Sequence, residues 1–298
     1  MKRFFLLVLT GITLVFSSCD STKQLAKTAQ SAQQAFDRGE YAKALGMWEE
    51  VINSYKQKDA VNQCPVYTNA GIAAYRLGQT DKAVDYLKQA DWSDFNNEKT
   101  YLTLAEIYRK KDNLSLELVN LETYLNKFPQ GSQTAEVKKR LFELYVDSDN
   151  LDKAVHLWDT LSADQQSDLS VLEGFLKVNK KLKNDDKCLE LSLKILETDK
   201  NNTEALKWLA NYYFWKGEKL YQKEMKAYNA HKTRKQYAHL LKALDVVTAD
   251  MKQSLKYAGR LYKIEPTAKT AGLLSKCYTR LDDKKKAARY KKLSNDKD

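Results

Sequence analysis

Histidine, proline, glycine and cysteine are all scarce in this 298-residue chain, and each shortage excludes something. Only His156, His231 and His239 occur, and the nearer pair lies more than two helical turns apart, so no metal-ligand spacing is present. The sequence carries no GxSxG, no HExxH, no phosphate-cradling glycine loop and no calcium-binding loop. The carboxylate pairs Asp185-Asp186 and Asp282-Asp283 stand in inter-helix turns, where capping explains them better than acid–base chemistry. No catalytic residue, cofactor or metal is therefore expected, and the chain does not read as an enzyme. Beyond Cys19, the cysteines are Cys64, Cys188 and Cys277, an odd number without any CxxC. Neither a zinc site nor a disulfide framework is indicated; three buried thiols and one disulfide with a spare both fit. With three prolines (Pro65, Pro129, Pro266) and ten glycines in a chain rich in Ala, Leu, Lys, Glu and Gln, the composition is helical throughout.

Long apolar runs are missing too, except at the start. Lys2 and Arg3 precede an apolar stretch from Phe4 to Phe16, then Ser17-Ser18-Cys19 and polar sequence. The stretch is short of the ~20 residues that span a bilayer. Its order of charge, apolar core and small residues is that of a secretory signal peptide over residues 1–18. Ending at a cysteine, it resembles a bacterial lipobox, although Phe16 stands where Leu is usual. That resemblance implies a lipidated Cys19 as the first residue of an exported protein, acyl-anchored to a bilayer of the bacterial cell envelope, inner or outer membrane.

Charge is uneven. From Lys200 onward 24 Lys and Arg face 10 Asp and Glu, whereas residues 20–199 hold 24 against 29. Export argues against nucleic acid as the target of the basic third and points to anionic lipid, lipopolysaccharide, glycan or an acidic protein surface.

The chain repeats. DRGEYAKAL, RLGQTDKAV, KKDNLSLEL, DSDNLDKAV and KLKNDDKCL align on Ala44, Ala83, Glu117, Ala154 and Cys188, at intervals of 39, 34, 37 and 34 residues; RLDDKKKAA adds Ala287. Phe36, Tyr75, Tyr108 and Tyr145 precede turns at Gly39, Gly78, Asp112 and Asp149, and Trp48, Leu87, Leu121 and Trp158 follow four residues after the anchors. A small anchor lets two helices of a unit approach, and the turn residues tolerate the left-handed backbone that ends the first helix. These stretches resemble tetratricopeptide repeats, whose unit is a helix–turn–helix of about 34 residues. The resemblance implies an all-α fold, a right-handed α-solenoid of about seven repeats over residues 19–298, with Tyr101, Tyr108, Tyr145, Trp158 and Tyr278 in its core.

One unit, residues 203–266, is too long by about one repeat. It opens as TEALKWLANYYFW and closes as LKYAGRLYKIEP, with Ser254 at the anchor. The inserted stretch from Gly217 to Gln253 keeps three-four spacing at Tyr237, Leu240, Leu244, Val247, Met251, Ser254, Ala258 and Leu261, so two elongated antiparallel helices are expected. They would turn near His231 to Lys235 with Thr233 as N-cap, and present Lys232, Arg234 and Lys235 at a projecting tip that is expected, with the groove, to recruit a partner protein.

By the same resemblance, a concave groove would be lined by Tyr75, Glu106, Arg109, Lys139 and Glu143, and further along by Lys177, Lys207, Asn211 and Phe214. Aromatic and charged residues mixed in this way suit an extended peptide or a partner helix. The function implied is that of a membrane-anchored envelope scaffold or adaptor that binds partner proteins. The alternative is an envelope binder of glycan or lipopolysaccharide through the basic C-terminal third.

Overall fold

The computed structural model describes residues 14–295, with side chains from residue 22 onward. The signal-peptide reading of residues 1–18 and lipidation at Cys19 concern side chains outside the described residues. Fourteen α-helices follow one another among the described residues, with no strand. They are α1 (Leu14–Asp37), α2 (Tyr41–Gln57), α3 (Tyr67–Arg76), α4 (Thr80–Trp92), α5 (Glu98–Lys110), α6 (Leu114–Lys127), α7 (Thr134–Asp147), α8 (Leu151–Trp158), α9 (Leu169–Lys181), α10 (Asp185–Thr198), α11 (Thr203–Ala230), α12 (Arg234–Ile264), α13 (Ala268–Arg280) and α14 (Lys284–Asn295). In chain order α1 packs on α2, α3 on α4, α5 on α6, α9 on α10, α11 on α12 and α13 on α14, each couple joined by a tight turn.

Local chemistry sets the ends. The turns after α1 and α3 put Gly39 and Gly78 at φ +78° and +77°, and later turns place Asp112, Asp149, Lys183 and Asp282 at φ between 53° and 57°. This left-handed residue lets the next amide reach back to an orphan carbonyl, as Glu40 does to Ala35 and Asn113 to Tyr108. Helix starts are capped by side chains: Asn113, Asp168, Asn184 and Asn202 accept from amides of the first turn. Asn97 and Thr100 cap each other reciprocally at the head of α5.

The chain forms two compact units, one through Leu144 and one from Tyr145. In the first, the anchor residues Ala44 and Ala83 are wholly buried beside Trp48, Tyr67, Ala70, Ala74 and Leu87. Small residues permit close approach: a Cβ on Gly71 would lie 2.7 Å from Leu87 Cγ. The third anchor, Glu117, is just as buried, and its carboxylate takes a two-pronged contact from the Arg140 guanidinium at 2.7 and 3.0 Å. A buried charge is tolerable only with such a partner.

In the second unit Trp158 stacks on Phe175 with ring centres 3.9 Å apart, and Ala154 and Cys188 are buried at their anchors. Ser254, the anchor of the long unit, donates to the Ala210 carbonyl at 2.7 Å and accepts from the Cys277 thiol at 3.3 Å. The expected elongated hairpin is α11 and α12, of 28 and 31 residues, turning at residues 231–233 with Thr233 accepting from the Gln236 amide. Leu240, Val247, Met251, Ser254, Ala258 and Leu261 form its buried seam, while Tyr237 at the outer end is exposed and lies beside Tyr228. Of the residues expected in the core, Tyr101, Tyr108, Tyr145 and Trp158 are buried; Tyr278 is half-buried and stacks on Tyr290.

Candidate functional site

The first helices of successive couples in the first unit share one open face. Residues recurring at three-four spacing line it: Gln33 and Phe36 from α1, Asn69, Ile72 and Arg76 from α3, Lys99, Thr103, Glu106 and Arg109 from α5, and Glu136, Val137 and Arg140 from α7. Together they enclose a groove of about 500 Å³, with Glu117 and Leu121 of α6 at its floor. The fold is that of tetratricopeptide repeats. Paired helices, left-handed turn residues, buried small anchors and a groove walled by first helices occur together in this chain.

No protein-family model matches this chain, and no curated protein matches it. Among solved structures, a tetratricopeptide repeat protein from Parabacteroides merdae is similar at 15% identity and a TM-score of 0.44, over 92% of this chain and 93% of that one. The C-terminal part of a repeat-containing protein from Cytophaga hutchinsonii is similar at 16% identity and a TM-score of 0.47, over 89% and 93%. YrrB, described as a TPR protein with an unusual peptide-binding site, is similar at 14% identity and a TM-score of 0.47, over 64% of this chain and 95% of its own. The repeat assignment rests on this chain's own spacing and turns.

Electrostatics divide the tetratricopeptide groove into satisfied and unsatisfied groups. Asn69 donates to Gln33 at 3.0 Å and braces α3 on α1. Glu106 accepts from the Tyr75 hydroxyl at 3.0 Å and pairs with Lys110 at 3.2 Å, whose ammonium also sits 5.0 Å from the Tyr75 ring centre. Burial raises the Glu106 carboxyl, but the hydrogen bonds from Lys110 and Tyr75 outweigh it and hold the group below its usual range. Arg140 is committed to Glu117 and, at 3.2 Å, to Glu143. That leaves Lys99 and Arg109 on the groove with no ion pair, and Arg76 acting on Glu106 only through space without a contact, against a lone Glu136. The groove therefore offers spare positive charge on a partly apolar wall.

The expected lining residues distribute unevenly. Glu106 and Arg109 line the groove, and Tyr75 supports Glu106 from beside it. Lys139 and Glu143 do not line it; Arg140, between them, does, because its phase on α7 continues that of Glu136 and Val137. In the second unit Lys177 pairs with Asp147 at 3.5 Å and Lys207 with Glu204 at 3.7 Å, both exposed, while Asn211 donates to the carbonyl of Lys207 on its own helix. Phe214 corrects the sequence reading. It is 4% exposed, packed with Val247, Met251 and Cys277, because elongated α12 and the following α13 cover this part of α11. Lys232, Arg234 and Lys235 stand exposed around the hairpin turn without ion pairs.

Sequence reasoning missed Arg76, Lys99, Gln33, Asn69 and Arg140. Extending the three-four phase of Glu106 and Arg109 back to Lys99, and across to the equivalent face of each first helix, finds most of them. Reactive thiols are not among the site's resources. Cys64, Cys188 and Cys277 are free and buried, and burial pushes Cys188 and Cys277 up to about 11, so both stay protonated at neutral pH. Among the described residues no cluster of three or more His, Cys, Asp or Glu could hold a metal ion.

Proposed function

We propose that this protein is a membrane-anchored adaptor of the bacterial cell envelope, exported and acylated at Cys19, that binds a partner protein in the groove of its first unit. The observation that carries this reading is the groove itself: about 500 Å³, walled by four first helices, with Arg76, Lys99 and Arg109 along it and in no contact ion pair. Such a trough fits an extended peptide or one helix, and its spare guanidinium groups fit a carboxylate-bearing partner by two-pronged hydrogen bonding. The apolar stretch and lipobox-like cysteine of residues 1–19 support the anchor.

Two measurements test the two halves separately. Cells fed a labelled fatty acid should label the parent protein and leave Cys19→Ser unlabelled, and equal labelling of both, or of neither, sinks the anchor. Arg76→Glu with Arg109→Glu should abolish recovery of the partner after in-cell cross-linking and affinity purification, while helicity stays unchanged. An unaltered set of partners places the contact elsewhere.

A further inference from the structure

The groove leaves the least ordinary feature of the chain unused. Helices α11 and α12 run about 42 and 46 Å, at 1.5 Å per residue, roughly twice the length of the flanking helices. The inner part of this hairpin is covered. Phe214, Val247 and Met251 pack with Cys277 of α13, Leu220 and Tyr221 join them, and Arg280 grips Glu218 with two contacts at 2.6 Å while lying over the Tyr221 ring. Beyond Tyr221, Tyr228 of α11 lies beside Tyr237 of α12, and between residues 222 and 239 no side chain is fully buried.

The charge of this outer part is one-sided. Residues 219–242 hold six lysines and one arginine against the single acid Glu224. Lys219, Lys223 and Lys226 recur at i, i+4 and i+7, a single stripe along α11; Lys235 and Lys242 recur at i and i+7 on α12, and Lys232 and Arg234 sit at the turn. All are exposed, and none is engaged in an ion pair. Tyr237 and Leu241 stand among them, 50% and 46% exposed.

We infer that the outer end of the α11–α12 hairpin docks on the surface of an anionic phospholipid bilayer. Shape, residue type and apolar content all point there. Every residue of the tip from 229 to 235 is exposed, so it suits a broad, flat target. Lysine outnumbers arginine six to one, whereas protein interfaces favour arginine and are depleted of lysine. Compact ammonium groups on flexible stems suit a diffuse field of lipid phosphates, each adding about fivefold to partitioning. An exposed tyrosine and leucine beside them can enter the headgroup layer. This surface is independent of the acyl anchor and of the groove.

The test uses residues 20–298, which lack both the apolar leader and the acylated cysteine, and sedimentation with vesicles of phosphatidylcholine alone or doped with phosphatidylglycerol. Binding should need the phosphatidylglycerol and weaken steeply with added salt. Lys226→Gln, Lys232→Gln and Lys235→Gln together should lower the partition coefficient roughly a hundredfold at unchanged helicity. Equal binding to neutral vesicles, no binding to either kind, or an undiminished triple variant overturns the inference. So does recovery, after in-cell cross-linking from Tyr237, of an acidic protein in place of lipid.

Discussion

Glu117 stands where the other units carry Ala, Cys or Ser, and the structure converts that oddity into a number. Its carboxylate is 2% exposed and Arg140 28% exposed, so the pair is asymmetric: one partner can reach water and the other cannot. Arg140→Met leaves a buried carboxylate without a partner and should cost about 3–5 kcal/mol. Glu117→Ala removes the charge that needs help, restores the small anchor, and leaves Arg140 within 3.2 Å of Glu143, so it should cost only about 1–2 kcal/mol. The double variant has no buried charge at all and should lie near the parent, giving a coupling of about 4–7 kcal/mol. Urea unfolding of the four proteins, followed by circular dichroism with slopes compared, reads this directly. Equal costs for the two single changes, or a coupling within about 0.5 kcal/mol, would show that the contact is an exposed ion pair in all but geometry and refute the reasoning.

Three further outcomes follow from named contacts. Gly71→Ala should destabilise by about 1–3 kcal/mol in thermal melts despite better helix propensity, because the new methyl meets Leu87 Cγ at 2.7 Å; a raised melting point contradicts the packing described. Gly78→Ala should cost about 1 kcal/mol at its φ of +77°, whereas Asp112→Gly, at φ 53°, should be neutral or slightly stabilising; equal effects would mean the turns are not under backbone control. Glu218 is held below its usual carboxylate range by hydrogen bonds from Arg280, so its folded state binds a proton less readily than the unfolded chain. That contribution is present above about pH 4.5 and is lost as pH falls through the lowered folded value; Arg280→Gln should flatten the acid side of the stability profile, and an unchanged profile refutes the linkage.

The repeat was legible because its signals are local. Ala44, Ala83, Ala154 and Cys188 mark helix contacts by size, and Gly39, Gly78, Asp112 and Asp149 mark turns by tolerance of positive φ. Lys183 occupies the same backbone position with no sequence signal of its own, its left-handed φ of 56° imposed by the helices on either side. The hairpin was legible from an unbroken three-four pattern and the Thr233 cap. The groove was less so, because lining depends on which neighbours cover a face. Lys207, Asn211 and Phe214 share one helical face, yet the first two are exposed and the third lies under α12 and α13. A one-residue phase on α7 separates Arg140 from Lys139. The Glu117–Arg140 pair spans 23 residues and two helices, which no local pattern announces.

Partner binding in the first-unit groove is tested most directly by photo-cross-linking in cells from a residue placed at Thr103, on the groove wall, and from one at Lys88, exposed on α4. Expected is a discrete protein adduct from position 103 alone, lost when Arg76→Glu and Arg109→Glu are added. Adducts shared equally by both positions, or an adduct at 103 indifferent to the two charge reversals, would contradict it.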